Sequence, residues 1–275
     1  MNKKTIQDLF AQVKAQKPLV HHITNAVTIN DCANVTLAIG GSPVMATSIE
    51  EVEEMVSLAG ALVVNIGTIQ TPTVDSMLVA GKAANAKNIP VVFDPVGVGA
   101  TSFRTEKAKQ FLAEVHVAII RGNASEIGAL IDGDVQTRGV DAGDVTNKDK
   151  HMLAMRVAQQ YKTVVVMSGK EDVICDGVKT VVIDNGDVWL PHITGTGCMS
   201  TSLIANFASV TSSMFDAAIA GMSTMGIAGE YAKEQLREED GIGTFRMKIM
   251  DRLFVMTGEQ WATKIRMYER SIDVV

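Results

Sequence analysis

The sequence has few aromatic residues, few cysteines and no long uncharged apolar run. Aromatic side chains make up 5% of the 275 residues, and the three cysteines, Cys32, Cys175 and Cys198, are odd in number and far apart. Their spacing suits neither a disulfide framework nor a zinc site, and it favours a reducing compartment. No stretch of about 18 uncharged apolar residues is present, so we expect a soluble, cytoplasmic protein that does not span a membrane.

Basic residues do not dominate the charge. There are 25 Lys and Arg against 31 Asp and Glu, which gives a formal net charge of −6 at pH 7. No dense basic stripe offsets this balance, so the sequence argues against binding to nucleic-acid phosphates. It also lacks a glycine loop ending in Gly-Lys-Ser/Thr, and no Gly-x-Gly-x-x-Gly follows the first buried strand. These absences weaken the assignments to P-loop nucleotidases and to dinucleotide-dependent oxidoreductases.

The apolar content is high, at 47%, and it falls into short apolar runs separated by amphipathic segments. The runs at 60–68, 91–93, 117–120 and 163–167 predict buried parallel strands, and the segments between them predict helices. Beyond residue 168, two alternating stretches across a glycine turn predict an edge hairpin. We therefore expect residues 1–275 to form one α/β domain, a three-layer α/β/α fold with a mostly parallel central sheet and helices on both faces.

The motif Gly195-Thr196-Gly197-Cys198 separates the predicted hairpin from the C-terminal helices. Two glycines two residues apart allow a tight turn, and the small apolar residues that follow predict the start of a buried helix. The unpaired amides at such a helix start, together with the helix dipole, form an anion site that suits a transferring phosphoryl group. A plain helix start beside a buried thiol is the alternative, and it is favoured if the motif is considered alone.

Polar residues follow several predicted strands at the point where each strand ends. Asp94 follows 91–93, Arg121 and Glu126 follow 117–120, and Ser168 follows 163–167. The carboxyl ends of parallel strands share one edge of the sheet, where ligands bind in open α/β folds. Two carboxylates there suit a hydrated Mg²⁺ ion, and an arginine suits phosphate. An Asx turn at Asp94 and a helix-dipole role for Glu126 are the structural alternatives.

Three further segments carry weaker predictions. We expect one of His21 and His22 to be buried and hydrogen-bonded and the other to be solvated, without a catalytic role. The long polar loop 132–146 is a candidate flap over the site. Residues 198–209, 214–235 and 246–266 predict three consecutive helices that cover one face of the sheet.

Taken together, the motifs resemble those of the hydroxyethylthiazole kinases, members of the ribokinase-like superfamily, over essentially the whole chain. The resemblance rests on VHHITNAVT at 20–28, GSPVM at 41–45, NIGT at 65–68, FDPVGVGA at 93–100, RGNASE at 121–126 and TGTGC at 194–198. It implies a ribokinase-like fold. It also implies phosphorylation of the alcohol of 4-methyl-5-(2-hydroxyethyl)thiazole, dependent on ATP and Mg²⁺, by a homotrimer with sites between subunits.

The resemblance also implies roles for individual residues. The implied substrate-binding residues are Asn25, Val27, Met45 and Gly195. The implied ATP-binding residues are Arg121 and Ser168, where the family often has Thr at the second position. The acidic metal-binding positions are Asp94 and Glu126, and the catalytic turn is Gly195, Thr196, Gly197 and Cys198.

Cys198 departs from the wider superfamily, which usually carries Asp there as the base that takes the alcohol proton. A thiol is mostly protonated at neutral pH, and a neighbouring polyphosphate disfavours its ionisation further. General-base catalysis contributes about 10²–10⁴-fold and one anion-hole donor about 10²–10³-fold. We therefore expect backbone amides, metal and alignment to supply most of the acceleration, and Cys198 to act as a weak proton acceptor or a positioning residue.

Three other functions remain open at this point. A ribokinase-like kinase for another small alcohol, such as a hydroxymethylpyrimidine or pyridoxal, is the nearest. A nucleotide sensor with the same fold would bind ATP without transferring phosphate to an alcohol. An NAD-dependent oxidoreductase is the weakest of the three, because the dinucleotide fingerprint is missing.

Overall fold

A nine-stranded sheet forms the centre of the fold in the computed structural model, which describes residues 3–131 and 147–270. The strands are β1 (Leu19–Ile23), β2 (Ser42–Val44), β3 (Ala61–Asn65), β4 (Val91–Asp94), β5 (Ile119–Asn123), β6 (Val164–Ser168), β7 (Asp172–Cys175), β8 (Thr180–Ile183) and β9 (Met267–Glu269). Their order across the sheet is β2-β1-β3-β4-β5-β6-β7-β8-β9.

The described helices alternate with the strands as far as β6, with two helices between β5 and β6, and the last four helices follow β8 without intervening strands. They are α1 (Lys3–Gln16), α2 (Ile29–Ile39), α3 (Val52–Val56), α4 (Thr71–Ala86), α5 (Ser102–Glu114), α6 (Ala124–Ala129), α7 (Asn147–Tyr161), α8 (Thr196–Ala208), α9 (Met214–Glu234), α10 (Ile242–Val255) and α11 (Gly258–Lys264). A short 3-10 turn, Leu190–His192, precedes α8.

Strands β1 to β6 are parallel, and β7, β8 and β9 pair in antiparallel fashion. The mostly parallel sheet is therefore confirmed, and the predicted hairpin is β7–β8, but β9 and not the hairpin forms the edge of the sheet. The hairpin turns at Gly177, whose φ of 90° lies in the left-handed region that suits glycine. Pro43 is tolerated in β2 because that strand lies at the other edge of the sheet.

Two apolar cores lie on opposite faces of the sheet. In β3, Ala61 and Val63 join the core formed with α1, α2 and α8 to α11, whereas Leu62 and Val64 join the core formed with α3 to α7. This division follows from the alternation of side chains along a strand. Both faces of the sheet are covered, so the three-layer arrangement is confirmed.

Small residues allow close helix packing in the first of these cores. A Cβ atom built on Gly221 of α9 would lie 2.4 Å from the Cα atom of Ile204 in α8. Such a distance means that the two helix backbones are in contact at this point. This arrangement explains why the sequence is rich in small apolar residues and poor in aromatic ones.

Several details differ from the sequence-based expectations. The predicted helix 246–266 is two helices, because Thr257 and Gln260 form a capping box that starts α11, and strand β9 was not predicted. His21 and His22 are both fully buried, so the expectation that one is solvated was wrong. The candidate flap 132–146 lies outside the described residues.

The connections around β1 and β3 run to opposite faces of the sheet. Helix α2, which links β1 to β2, packs in one core, and α4, which links β3 to β4, packs in the other. Adjacent strands with oppositely directed crossovers leave a crevice beyond their carboxyl ends, where ligands bind in open α/β folds. Within the described ranges, no helix is both long and apolar enough to span a lipid bilayer.

Candidate active site

Asp94 lies at the bottom of the crevice, at the end of β4. Its side chain is fully buried, and its Oδ2 accepts hydrogen bonds from Asn65 Nδ2 and from Thr201 Oγ1, both at 2.8 Å. Asn65 is the register partner of Asp94 in β3, and Thr201 lies in α8. The other oxygen, Oδ1, has no hydrogen-bond partner among the described residues. A buried carboxylate oxygen without a donor is costly unless it serves a ligand.

Arg121 faces the unpartnered oxygen of Asp94. Its Nη1 lies 4.0 Å from Asp94 Oδ1, and its buried Nε has no hydrogen-bond partner in the described part of the chain. Burial raises the pKa of Asp94 to about 6, with the Arg121 charge opposing this rise and the Glu126 charge adding to it. The guanidinium Nε and the carboxylate oxygen Oδ1, which lack hydrogen bonds, can serve a phosphate and a metal ion bound beside this pair.

The N-terminus of α8 adds backbone donors to the same space. The first helical hydrogen bond runs from Met199 N–H to Gly195 C=O at 2.8 Å, so the amides of Thr196, Gly197 and Cys198 precede it. Amides in this position, with the dipole of a 13-residue helix, favour a bound anion. The anion site that the sequence predicts would lie at these amides.

Steric contacts explain why positions 195 and 197 of the motif are both glycine. A Cβ atom on Gly197 would lie 2.4 Å from Arg121 Nη1, so the guanidinium rests against the backbone of the turn. Gly195 has a φ of 90°, and a Cβ atom there would lie 2.6 Å from Thr28 Cγ2. The turn is therefore in contact with Arg121 on one side and with the loop after β1 on the other.

Cys198 receives hydrogen bonds from two side-chain amides. Asn25 Nδ2 lies 3.4 Å and Asn65 Nδ2 lies 3.2 Å from Cys198 Sγ. The Asn25 amide is oriented by its own loop, because its Oδ1 accepts from the backbone amides of Val27 and Thr28 at 3.1 Å. Burial and the Asp94 charge raise the pKa of the Cys198 thiol, and these hydrogen bonds oppose the rise. The thiol is therefore a poor source of thiolate, as expected from the sequence.

Glu126 lies at the start of α6 and interacts with two backbone amides. Its Oε1 accepts from Gly97 N–H and its Oε2 from Asn123 N–H, both at 2.8 Å, and Asn123 Oδ1 accepts from Glu126 N–H in a capping box. The structural role proposed as the alternative to metal binding is thus present. It does not exclude binding of a hydrated ion, because each carboxylate oxygen has a second lone pair. In the ranges 3–131 and 147–270, no three His, Cys, Asp or Glu side chains are grouped as a metal centre.

Ser168 ends β6 beside the register partner Asn123 and is half-buried, and its hydroxyl donates to Gly122 C=O at 3.3 Å. The turn after it is closed by Asp172, whose buried carboxylate accepts from Gly169 N–H at 3.0 Å. Burial raises the pKa of Asp172 to about 7, against the hydrogen bond from Gly169 and the charge of Arg121. Arg121 thus interacts electrostatically with the carboxylates of Asp94 in β4 and Asp172 in β7.

Val27 and Met45 lie at the same edge of the sheet as the other site residues, but the described contacts join neither side chain to Cys198 or Asp94. Val27 is 63% exposed in the loop after β1. Met45 directly follows β2 and is half-buried. In a single chain, the crevice on this side is open.

Sequence reasoning missed the roles of Asn65, Thr201 and Thr28. Asn65 is a polar residue that ends an apolar strand, which is the signal that identified Asp94. Thr201 is four residues after Gly197, on the same face of α8. Thr28 bonds Asn25 Oδ1 through its hydroxyl at 3.1 Å and contacts Gly195. The first two could have been identified by applying the strand-end and helix-face patterns consistently.

The fold and the site define the class of protein. The sheet with helices on both faces is similar to a ribokinase-like superfamily protein from Enterococcus faecalis, with a TM-score of 0.66 at 10% identity over 95% of each chain. At this identity the likeness concerns the fold alone. The fold is ribokinase-like, and the crevice beyond its strand ends has the features that a phosphoryl-transfer site requires.

Sequence comparison defines the family. The model of the hydroxyethylthiazole kinase family matches residues 10–259. A hydroxyethylthiazole kinase from Alkaliphilus oremlandii is 48% identical over 249 residues, which cover 90% of this chain and 92% of that protein. The structure of a hydroxyethylthiazole kinase protein from Pyrococcus horikoshii has a TM-score of 0.88 at 37% identity, covering 98% of this chain and 100% of that one. The chain belongs to the hydroxyethylthiazole kinase family.

Proposed function

We propose that the chain acts as a single kinase domain that transfers the terminal phosphoryl group of ATP to the hydroxyl group of hydroxyethylthiazole, in thiamine biosynthesis or salvage. Family membership supports the choice of alcohol. The observation that carries the chemistry is the group formed by the unpartnered Asp94 Oδ1, the Arg121 guanidinium and the amides at the start of α8. Positioning and neutralisation of charge are the main requirements of phosphoryl transfer.

The alcohol and the nucleotide occupy different sides of the turn before α8 in this proposal. Gly195 contacts Thr28, which belongs to the loop after β1, and Gly197 contacts Arg121. We therefore assign the alcohol to the side of Gly195 and Thr28, the alcohol side, and the phosphates to the side of Gly197 and Arg121, the phosphate side. The alcohol-binding residues are Asn25, Val27, Met45 and Gly195. The ATP-binding residues are Arg121 and Ser168.

Asp94 and Glu126 are the residues that would hold Mg²⁺. The buried Oδ1 of Asp94 lacks a donor, and the charge of Glu126 is close enough to raise the pKa of Asp94, so the donor set fits a hard cation. A magnesium ion, when bound, neutralises charge on the phosphates. Glu126 is anchored by hydrogen bonds from the backbone amides of Gly97 and Asn123.

The remaining residues position the alcohol and balance developing charge. The amides of Thr196, Gly197 and Cys198 donate to the oxygens of the transferring phosphoryl group, where each donor contributes about 10²–10³-fold. Cys198 lies beside the alcohol and accepts its proton weakly, because burial and the Asp94 charge raise the thiol pKa. Asn25 and Asn65 hold the sulfur atom in place.

We also propose that the protein is a cytoplasmic homotrimer with its sites between subunits. An exposed apolar surface supports this assembly. It lies on α2 and α10 and includes Leu37, Met247 and Phe254, which are 55%, 61% and 68% exposed. Leu37 and Phe254 line one groove between the two helices, and apolar side chains that are grouped on a surface mark contact sites. Val27 is also exposed, so a second subunit beside it would close the open side of the crevice.

The test is a panel of alcohols with ATP and Mg²⁺, in which ADP release and the phosphorylated product are both measured. We expect turnover with hydroxyethylthiazole and much lower turnover with a hydroxymethylpyrimidine or pyridoxal. Asp94→Asn should abolish transfer and serves as the catalytic control. Preferred turnover of another alcohol, or ATP binding without any alcohol-dependent release of ADP, would reject the proposal in favour of a different kinase or a nucleotide sensor.

A further inference from the structure

Arg104 joins the loops that follow β3 and β4. The residue lies in the first turn of α5, and its guanidinium reaches back to the edge of the sheet. Nη1 donates to Ile66 C=O at 2.6 Å and to Val96 C=O at 2.9 Å, and Nη2 donates to Gly67 C=O at 2.8 Å. A planar guanidinium can satisfy three carbonyl groups at fixed angles, which a lysine ammonium group does less well.

The loop after β3 controls the alcohol side of the crevice. Gly67 N–H donates to Asn65 Oδ1 at 2.9 Å, which turns the Nδ2 of Asn65 towards Asp94 and Cys198. A Cβ atom on Gly67 would lie 2.9 Å from Asn25 Cβ, so the backbone of Gly67 supports Asn25. Both amides that bond the sulfur of Cys198 therefore depend on this loop.

The loop after β4 controls the phosphate and metal side. Gly97 N–H donates to Glu126 Oε1 at 2.8 Å. Gly97 has a φ of 75°, and a Cβ atom there would lie 3.4 Å from Arg104 Cδ, so the loop lies directly against the arginine side chain. The same loop begins at Asp94. Both acidic groups of the site are therefore attached to this second loop.

We propose that Arg104 is a positioning residue that sets the distance between the alcohol side and the phosphate side of the site. This role rests on the proposed function, since it concerns the alignment of a hydroxyl with a phosphoryl group. Arg104 bonds backbone carbonyls rather than substrate, so its removal weakens the link between the two loops without deleting a binding contact. Misalignment on the scale of 1 Å costs about 100-fold in rate.

Arg104→Ala should lower kcat about 100-fold while the KM values for ATP and the alcohol change little. Arg104→Lys should be intermediate, because one ammonium group cannot bond all three carbonyls. Lys107→Ala is the matched control, since Lys107 lies on the same helix and its ammonium group bonds Gln110. Its kinetics should equal those of the wild type.

Chemical rescue separates positioning from loss of folded protein. Millimolar guanidinium chloride, far below denaturing concentrations, should restore much of the kcat of Arg104→Ala, whereas sodium chloride at equal ionic strength should not. A merely structural role would lower the melting temperature and the fraction of active enzyme without this response. The proposal is overturned if folded Arg104→Ala retains kcat within about threefold of the wild type, or if guanidinium has no effect.

A crystal structure of Arg104→Ala gives a readout that does not depend on the substrate. We expect Ile66–Gly67 and Val96–Gly97 to have moved apart relative to the wild type, and unchanged loops would refute the inference. Failure of the proposed function is recognised separately, because the wild type itself would then not phosphorylate hydroxyethylthiazole. In that case, the kinetic test uses the alcohol from the panel that the wild type does accept.

Discussion

Asn65 and Asp94 are register partners at the ends of β3 and β4, and their side chains are joined by a hydrogen bond of 2.8 Å. The same amide nitrogen of Asn65 lies 3.2 Å from Cys198 Sγ. One side chain therefore connects the carboxylate on the phosphate side with the thiol on the alcohol side. Substitutions at Asn65 test whether this connection matters for transfer.

Asn65→Leu keeps the approximate volume of the side chain but removes both donors. Asp94 Oδ2 then keeps the bond from Thr201 alone, and a hydrogen bond to a charged group contributes about 1.5–3 kcal/mol. We expect kcat to fall by roughly 10- to 100-fold, measured by steady-state ADP release. Asn85→Leu is the matched control, because Asn85 bonds the backbone of His116 away from the site. Equal rates for both variants and the wild type would contradict the prediction.

Cys198 offers a second test of how the proton is handled. Cys198→Ala should slow turnover by less than the 10²–10⁴-fold expected for loss of an effective general base, because the raised thiol pKa makes the sulfur a weak one. Cys198→Asp should retain or improve turnover, since Asn25 and Asn65 would donate to a carboxylate as they do to the sulfur. Complete loss of turnover in Cys198→Ala with intact substrate binding would show that the thiol is indispensable.

The two glycines before α8 should have separable effects. Gly197→Ala pushes the Arg121 guanidinium away, so we expect a raised KM for ATP. Gly195→Ala forces a side chain into the left-handed region and against Thr28, which should raise the KM for the alcohol. Gly243→Ala is a control, since nothing lies within 4 Å of a Cβ atom at that position. The same kinetic defect in both site variants would argue against separate alcohol and nucleotide sides.

Local sequence patterns predicted the elements that hold the site, and their failures have identifiable causes. Asp94, Arg121 and Ser168 were found because polar residues that end apolar strands must share one edge of a parallel sheet. The roles of Asn65 and Arg104 in joining parts of the site could not be predicted in this way, because they depend on contacts between segments far apart in the chain. Strand β9 is three residues long and gains its order from pairing with β8, so it has no periodicity to detect.

The buried histidines His21 and His22 also show that local sequence patterns do not predict long-range contacts. A strand pattern indicates which faces are covered, but both His21 and His22 are enclosed because α8 and the segment after β2 pack on opposite sides of β1. His22 Nε2 lies 3.1 Å from Ser202 Oγ of α8, and His21 Nε2 lies 2.8 Å from Ala46 C=O. These partners are 180 and 25 residues away in sequence. No local pattern identifies them.

His22 should make the protein less stable in mild acid. Burial lowers its pKa from 6.5 to about 4. Between these two pH values, His22 is protonated in the unfolded chain but not in the folded chain. The full stability is present above pH 6.5 and declines towards pH 4, by up to about 1.4 kcal/mol per pH unit from this group. Denaturant unfolding between pH 7.5 and 4.5 should show a shallower decline for His22→Gln than for the wild type.

The exposed residue His116 provides the control for that experiment, because His116→Gln makes the same substitution without removing a buried imidazole. His21 and His151 also have pKa values lowered by burial, so part of the decline will remain in His22→Gln. The informative quantity is the difference in slope between the variant and the wild type. Parallel curves for the two proteins would contradict the assignment of this acid sensitivity to His22.

Assembly can be tested through the apolar surface on α2 and α10. Phe254→Asp places a charge on a side chain that is 68% exposed, next to Leu37 across the groove between the two helices. If this surface forms the contact between subunits, the charge must be desolvated there, and we expect sedimentation velocity to show monomers. Leu58→Asp is the control, since Leu58 is 69% exposed after α3 and away from this surface.

The kinetic consequence follows from the open side of the crevice near Val27. Monomeric Phe254→Asp should bind ATP with nearly unchanged affinity, because Arg121 and Ser168 need no second subunit to bind the nucleotide. It should show a raised KM for the alcohol. Activity should recover with increasing protein concentration as subunits associate. A Phe254→Asp variant that stays assembled would place the subunit contact elsewhere. A monomeric variant with wild-type kinetics would show that each chain carries a complete site.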